Sequence, residues 1–127
     1  MKLRIVVADD SPSFLEKSVS ILEIEFDVIK TAMDGESSLE IIINSQPDVV
    51  VLDLEMPVLN GIYITKELMK HPPRPAVVIC SVDSDPEIVE AARQAGALGY
   101  VFKARIAKDL IVAVKSVARG QFFVSPA

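Results

Sequence analysis

Five polar side chains stand immediately after short apolar runs: Asp9 and Asp10 after the first, Asp53 after the third, Ser81 after the fourth and Lys103 after the fifth. If those runs are adjacent strands, ~4.8 Å apart, their ends share one rim and the five groups converge. Three carboxylates that close repel one another by about 4 kcal/mol per pair at ~4 Å and an effective dielectric of ~20, which raises carboxylate pKa values. A small, hard, oxygen-seeking cation relieves that conflict. Magnesium, or manganese in its place, takes one or two carboxylates and fills its remaining positions with water and phosphate oxygens. A carboxylate is itself a competent nucleophile toward phosphorus, and phosphoryl transfer asks of a protein mainly in-line placement and charge neutralisation. Asp53 therefore suits a phosphoacceptor, Asp9 and Asp10 suit cation ligands, Lys103 brings a compact positive charge, and Ser81 a hydroxyl donor.

Each residue alone has a plainer explanation. Asp9 and Asp10 precede Ser-Pro, where acids favour a helix N-terminus. Asp53 alone could merely end a strand, Ser81 could bond its own backbone in a turn, and Lys103 could be a solvated strand end. The coincidence of four strand ends delivering suitable groups to one rim favours the functional reading.

The elements that must position them are legible. Leu3–Ala8, Val49–Leu52, Ala76–Cys80 and Gly99–Phe102 are short, mostly apolar and rich in Val, Ile and aromatics, as strands buried on both faces are. Asp27–Ala32 carries Asp27 and Lys30 and reads as an edge strand guarded by charge. Between the strands lie helical spacings. Ser11-Pro12 starts a helix with Leu15, Val19 and Leu22 inward, and Asp34 caps one carrying Leu39, Ile42 and Ile43. Asn60-Gly61 opens a third with Ile64 and Leu68. Asp85-Pro86 starts a fourth that stops at Gly96, and the fifth runs from Ile106 towards Gly120. Five alternations predict an α/β fold, a flavodoxin-like doubly wound parallel sheet of order 2-1-3-4-5 with helices on both faces. Ligands of such sheets bind outside the carboxyl ends of the strands, where the order reverses.

The 127 residues, half of them hydrophobic and 24% charged, suit one domain spanning 1–127. A net charge of −5 argues against direct nucleic-acid or anionic-membrane binding. No apolar run approaches the ~18 residues of a membrane span, and a single cysteine, Cys80, fits a reducing compartment. A cytoplasmic address is the expectation. Cys80 reads as inert packing in a strand, His71 as a solvated residue beside the Pro72-Pro73-Arg74-Pro75 loop, and Phe122 and Phe123 as local packing or a surface awaiting a further domain.

Together the acidic pair Asp9-Asp10, the run Val51-Leu52-Asp53-Leu54-Glu55-Met56-Pro57 followed by Gly61, the hydroxyl of Ser81, and Gly96-Ala97 leading through Gly99-Tyr100 to Lys103 resemble the response-regulator receiver domains of bacterial two-component signalling. The resemblance runs from Leu3 to about Pro126. It implies aspartyl phosphorylation at Asp53 by a sensor histidine kinase, a metal ligand from the Glu55 backbone carbonyl, and a rotamer change in Tyr100 when Ser81 is drawn to the phosphoryl group. It also implies an output face of helix four, strand five and helix five for a partner or a second copy, and no enzymatic activity beyond the domain's own phosphorylation and dephosphorylation.

Two positions depart from the broad family pattern. Ala104 stands where proline usually follows the lysine, so a trans peptide is expected. Val82 is branched where a small residue is usual, which should slow dephosphorylation. These, with Ala118-Arg119-Gly120 and Val124-Ser125-Pro126, are similar to the LuxR/NarL-type transcriptional regulators, in which a DNA-binding domain would follow this segment. Two rival functions suit these residues less well. A haloacid-dehalogenase-like phosphatase needs its nucleophile after strand one with a second acid two residues on, a spacing Asp9-Asp10-Ser11 lacks. A phosphorylation-independent binding module would have no use for an intact Asp53 and Lys103.

Overall fold

In the computed structural model, which describes residues 2–126, strands and helices alternate along the chain. They are β1 (Arg4–Ala8), α1 (Pro12–Leu22), β2 (Asp27–Ala32), α2 (Gly35–Ser45), β3 (Val49–Asp53), α3 (Gly61–Leu68), β4 (Ala76–Ser81), α4 (Pro86–Ala95), β5 (Gly99–Phe102), α5 (Ile106–Ala118) and β6 (Phe123–Val124). All strand pairs are parallel, in the order β2-β1-β3-β4-β5-β6. The flavodoxin-like order 2-1-3-4-5 is thus present, extended by one strand.

Strand alternation divides the core between two faces. Val6, Ala8, Val50, Leu52, Val77 and Ile79 pack with Ile42 of α2, Ile64 and Leu68 of α3 and Ala92 of α4. Ile5, Val7, Val49, Val51, Val78, Cys80 and Val101 face Leu22 of α1 and Ile106, Leu110, Ala113, Val114 and Val117 of α5. Each fully buried Val, Leu or Ile stabilises the fold by about 1.5–3 kcal/mol. A few of them outweigh the repulsion of a carboxylate cluster at the rim, so the sheet can hold a site that is unfavourable in itself.

The predicted helix starts are formed as expected. Phe14, Ser37, Tyr63 and Glu87 donate backbone N–H groups to the side chains of Ser11, Asp34, Asn60 and Asp85 respectively. Gly61 brings α3 hard against β3: a Cβ there would lie 2.7 Å from the Asp53 carbonyl oxygen. Ile43 does not face inward as its spacing suggests. It is exposed, and Ile41 packs against the sheet beside Ile42 instead.

Sequence periodicity misses β6. Phe123 and Ser125 donate backbone N–H groups to the carbonyls of Leu98 and Tyr100, both at 2.9 Å. The Ser125 hydroxyl accepts the Phe102 N–H at 3.0 Å. Buried Asp109 on α5 is gripped by Arg105 at 2.8 Å, and its carboxyl lies below the usual range: burial raises it, but the bonds from Arg105 and Ser125 prevail. Phe123 therefore joins the sheet, while Phe122 stays partly exposed with the Arg93 guanidinium 4.8 Å from its ring centroid.

The loop after β3 holds the one β-branched residue with positive φ among those described: Val58, at 73°, lies in a tight turn closed by the Leu59 N–H on the Pro57 carbonyl. A non-glycine residue there costs about 1–2 kcal/mol, and Val58 is 79% exposed, so packing returns little. A glycine gives up about 0.5–1 kcal/mol in chain entropy. Val58→Gly is therefore expected to be neutral to stabilising, by up to about 1 kcal/mol. The midpoint of urea unfolding reads this directly, and a destabilised variant would contradict it.

Candidate functional site

Asp9, just past β1, and Asp53, the last residue of β3, are each only 3% exposed, whereas Asp10 faces solvent. Strands β1 and β3 are neighbours with Ala8 opposite Leu52, which delivers the next residues to one rim. An oxygen from each of Asp9, Asp10 and Asp53 lies within 4.8 Å of the others. Opposed ligand oxygens around magnesium are about 4 Å apart. Three hard oxygen donors of this spacing fit that ion, or manganese, with a small inward movement.

Lys103, the first residue beyond β5, ties the cluster together. Its Nζ is 3.1 Å from Asp9 Oδ2 and 3.1 Å from Asp53 Oδ1. Its side chain is 10% exposed, and the charge also sits 4.5 Å from the centroid of the Phe14 ring. Burial alone would lower the lysine pKa, but the two carboxylates outweigh it and hold the ammonium above its ordinary range. The Lys103–Ala104 peptide is trans, as the missing proline predicts.

The Asp53 carboxyl is pushed up to about 7, first by burial and then by the Asp9 charge, with Lys103 pulling against both. Burial strips water from the ionised form and the Asp9 charge opposes it, so the proton is held unusually tightly. Asp53 Oδ1 also accepts the Glu55 backbone N–H at 3.3 Å, which places the Glu55 peptide beside the cluster.

Ser81, fully buried at the end of β4, donates to Glu55 Oε1 at 3.0 Å and accepts the Asp83 N–H at 2.9 Å. Tyr100, 1% exposed, turns inward: its hydroxyl donates to the Asp83 carbonyl at 2.8 Å, and its ring meets Phe102 edge-on at 5.9 Å. Val82, between Ser81 and Asp83, projects into solvent at 73% exposure.

The structure thus gathers Asp9, Asp10, Asp53 and Lys103 directly, with Ser81 at the neighbouring strand end. Two participants were not signalled by motif spacing. Phe14 lies under Lys103, and the Glu55 carboxylate holds Ser81. Phe14 follows Ser13 on a helix already explained by Leu15 and Val19, so its pattern looks like packing. His71 is exposed at the far end of α3, and Cys80 is buried with its thiol pushed up to about 12, chiefly by burial.

An acid cluster and a lysine thus stand at the carboxyl ends of a doubly wound sheet, and the response regulator receiver domain profile matches residues 5–115. The chain belongs to that family. Within it, the chain is similar to the transcriptional regulatory protein DegU of Brevibacillus brevis, 36% identical over 98% of this chain and 54% of the relative. It therefore spans about half the length of that protein. The receiver domain of NarL from Mycobacterium tuberculosis superposes with a TM-score of 0.90 at 34% identity, covering 94% of this chain and 98% of that one. A LuxR-family response regulator from Aurantimonas sp. gives a TM-score of 0.94 at 26% identity, over 99% and 91% of the respective chains.

Proposed function

We propose that this domain accepts a phosphoryl group on Asp53 from the phosphohistidine of a sensor histidine kinase, and that the modified rim changes an output surface that controls transcription. The observation that carries the reading is the convergence of three carboxylates with Lys103 bridging Asp9 and Asp53. Asp53 Oδ attacks phosphorus in line with the phosphorus–nitrogen bond, which breaks, and the electron pair leaves with the imidazole. Lys103 stays beside the attacked group and balances charge on a phosphoryl oxygen, and the Ser81 hydroxyl donates to another. Asp9, Asp10, Asp53 and the Glu55 backbone carbonyl are the residues assigned to hold magnesium, which when bound neutralises phosphate oxygens and holds them against Asp53.

Phosphorylation adds about −1.5 to −2 of charge and strong acceptors at the rim. The groups placed to respond are Ser81 and, through Asp83, Tyr100. Tyr100 lies on β5, so the face of α4, β5 and α5 is assigned as the output, binding a partner or a second copy. The likeness to DegU and NarL supports a transcriptional role exerted through a DNA-binding domain in the same regulator. No described helix is long and apolar enough to cross a membrane, and the cytoplasm is the compartment proposed.

The test is incubation with acetyl phosphate and magnesium followed by intact mass. One phosphoryl adduct, labile at alkaline pH as an acyl phosphate must be and absent when a chelator replaces the metal, supports the assignment. Steady release of inorganic phosphate at enzyme-like turnover would point to a phosphatase instead. Absence of any adduct, with partner binding unchanged, would leave a constitutive binding module.

A further inference from the structure

The Ser81 hydroxyl has one proton, and the structure shows it already committed. It goes to Glu55 Oε1 at 3.0 Å, while a lone pair of the same oxygen takes the Asp83 N–H at 2.9 Å. The role given to Ser81 above requires that same proton for a phosphoryl oxygen. A hydroxyl is one donor with two acceptor sites, so the two uses exclude each other. The Glu55 carboxylate occupies the position in the hydrogen-bond pattern that a phosphoryl oxygen would have to take.

We infer that the Glu55 side chain is a latch on the switch: it holds Ser81, and through Asp83 the Tyr100 hydroxyl, in the unphosphorylated arrangement, and must be displaced for the phosphoryl group to be received. The inference rests on the phosphoacceptor reading of Asp53 and adds a positioning residue to it. Three features support it. The acceptor is anionic, and hydrogen bonds to ionised acceptors are stronger than neutral ones. Glu55 is exposed, so once released its carboxylate returns to water without a burial penalty, which is what a reversible latch requires. The chain of bonds is continuous, from Glu55 to Ser81, from Ser81 to the Asp83 amide, and from the Asp83 carbonyl at 2.8 Å to Tyr100. Glu55 thus acts twice in this site, its backbone carbonyl towards the cation and its side chain towards the switch.

A latch acts through Ser81, whereas a bare negative charge at the mouth would repel phosphate whether Ser81 were present or not. The two are separated by a double-mutant cycle. Glu55→Ala, Glu55→Gln, Ser81→Ala and the Glu55→Ala/Ser81→Ala pair are incubated with subsaturating acetyl phosphate and magnesium. Adduct formation and its decay after donor removal are followed by intact mass, with thermal unfolding to establish that each protein is folded. Glu55→Ala is expected to raise the ratio of formation to decay rate by about tenfold, the lower end of what a charge-assisted bond supplies. Glu55→Gln, which keeps an acceptor for Ser81, should raise it less, and in the Ser81→Ala background loss of Glu55 should change it by less than about twofold. In the metal-free protein, the Asp83 amide resonance should shift in Glu55→Ala and much less in Glu55→Gln, a signature that charge repulsion does not produce. Equal gains in Glu55→Ala and Glu55→Gln that persist without Ser81 would replace the latch with repulsion, and wild-type behaviour in Glu55→Ala would remove it. If the parent protein forms no adduct, the phosphoacceptor reading itself falls and the latch falls with it.

Discussion

A Lys103→Ala protein is expected to acquire its phosphoryl group at least about a hundredfold more slowly than the parent, and an Asp53→Asn protein not at all. The lysine ammonium is 3.1 Å from both Asp9 and Asp53, and no other cationic side chain is paired with either carboxylate among the described residues. As negative charge gathers on the phosphoryl oxygens in transfer, a fixed ammonium in a partly dry pocket is worth far more than one in water. Removing a single such group typically costs about 10²–10³ in rate. Lys103→Arg should not rescue it fully: a planar fork cannot replace a point charge set between two carboxylates and the Phe14 ring. Asp53→Asn removes the nucleophile, since the neutral amide has no anionic oxygen to attack phosphorus. Rates of adduct formation from acetyl phosphate, read by intact mass, check both variants. Undiminished modification of Asp53→Asn would place the acceptor on another residue, which peptide mapping would identify.

Most of this architecture was legible from residue order because burial imposes it. Val49–Asp53 is entirely buried, and only a central strand with helices on both faces can be apolar without interruption. Asp27 and Lys30 likewise marked β2 as an edge. The rim followed from topology: once β1 and β3 are neighbours, the residues after Ala8 and at Asp53 must meet. What resisted reading depends on contacts far apart in sequence. Strand β6 is two residues long, too short for any periodicity, and is stabilised by pairing with Gly99 and Tyr100 and by Ser125. The same holds for Glu55, whose partner Ser81 is 26 positions away. Sequence position marks Glu55 as two residues past Asp53, and only the fold shows which way its carboxylate turns. Ile43 is a smaller instance: α2 presents Ile41 and Ile42 to the sheet, and a one-residue rotation of the apolar stripe leaves the third isoleucine in water.

The site's cost should be visible in stability against pH, and its sign is opposite to that of an ordinary ion pair. The Asp53 carboxyl, 3.8 in its reference state, is pushed up to about 7 by burial and by Asp9. Between those values the folded protein holds a proton that the unfolded chain has released, so stability falls as pH rises through the window and levels off above it. At pH 8, in a chelator and without magnesium, ionised Asp53 is a net burden. Asp53→Asn, which cannot ionise, should then be more stable than the parent by about 2 kcal/mol, or roughly 7 °C in Tm, while below pH 4 the two should converge. On the proposed function magnesium binds the native state alone and supplies the missing positive charge, so adding it at pH 8 should raise the parent's Tm and do much less for the variant. Thermal unfolding of both proteins across pH 4–8, with and without the ion, is the measurement. Parallel curves for parent and variant would mean that Asp53 carries no burden from Asp9 and burial, and the electrostatic account of the proposed cation site would have to be abandoned. A divergence that opens above pH 4 and that magnesium abolishes would show the function built from the instability: the strain of gathered carboxylates, carried by a core large enough to bear it, is what gives the ion and the phosphoryl group their affinity for this edge of the sheet.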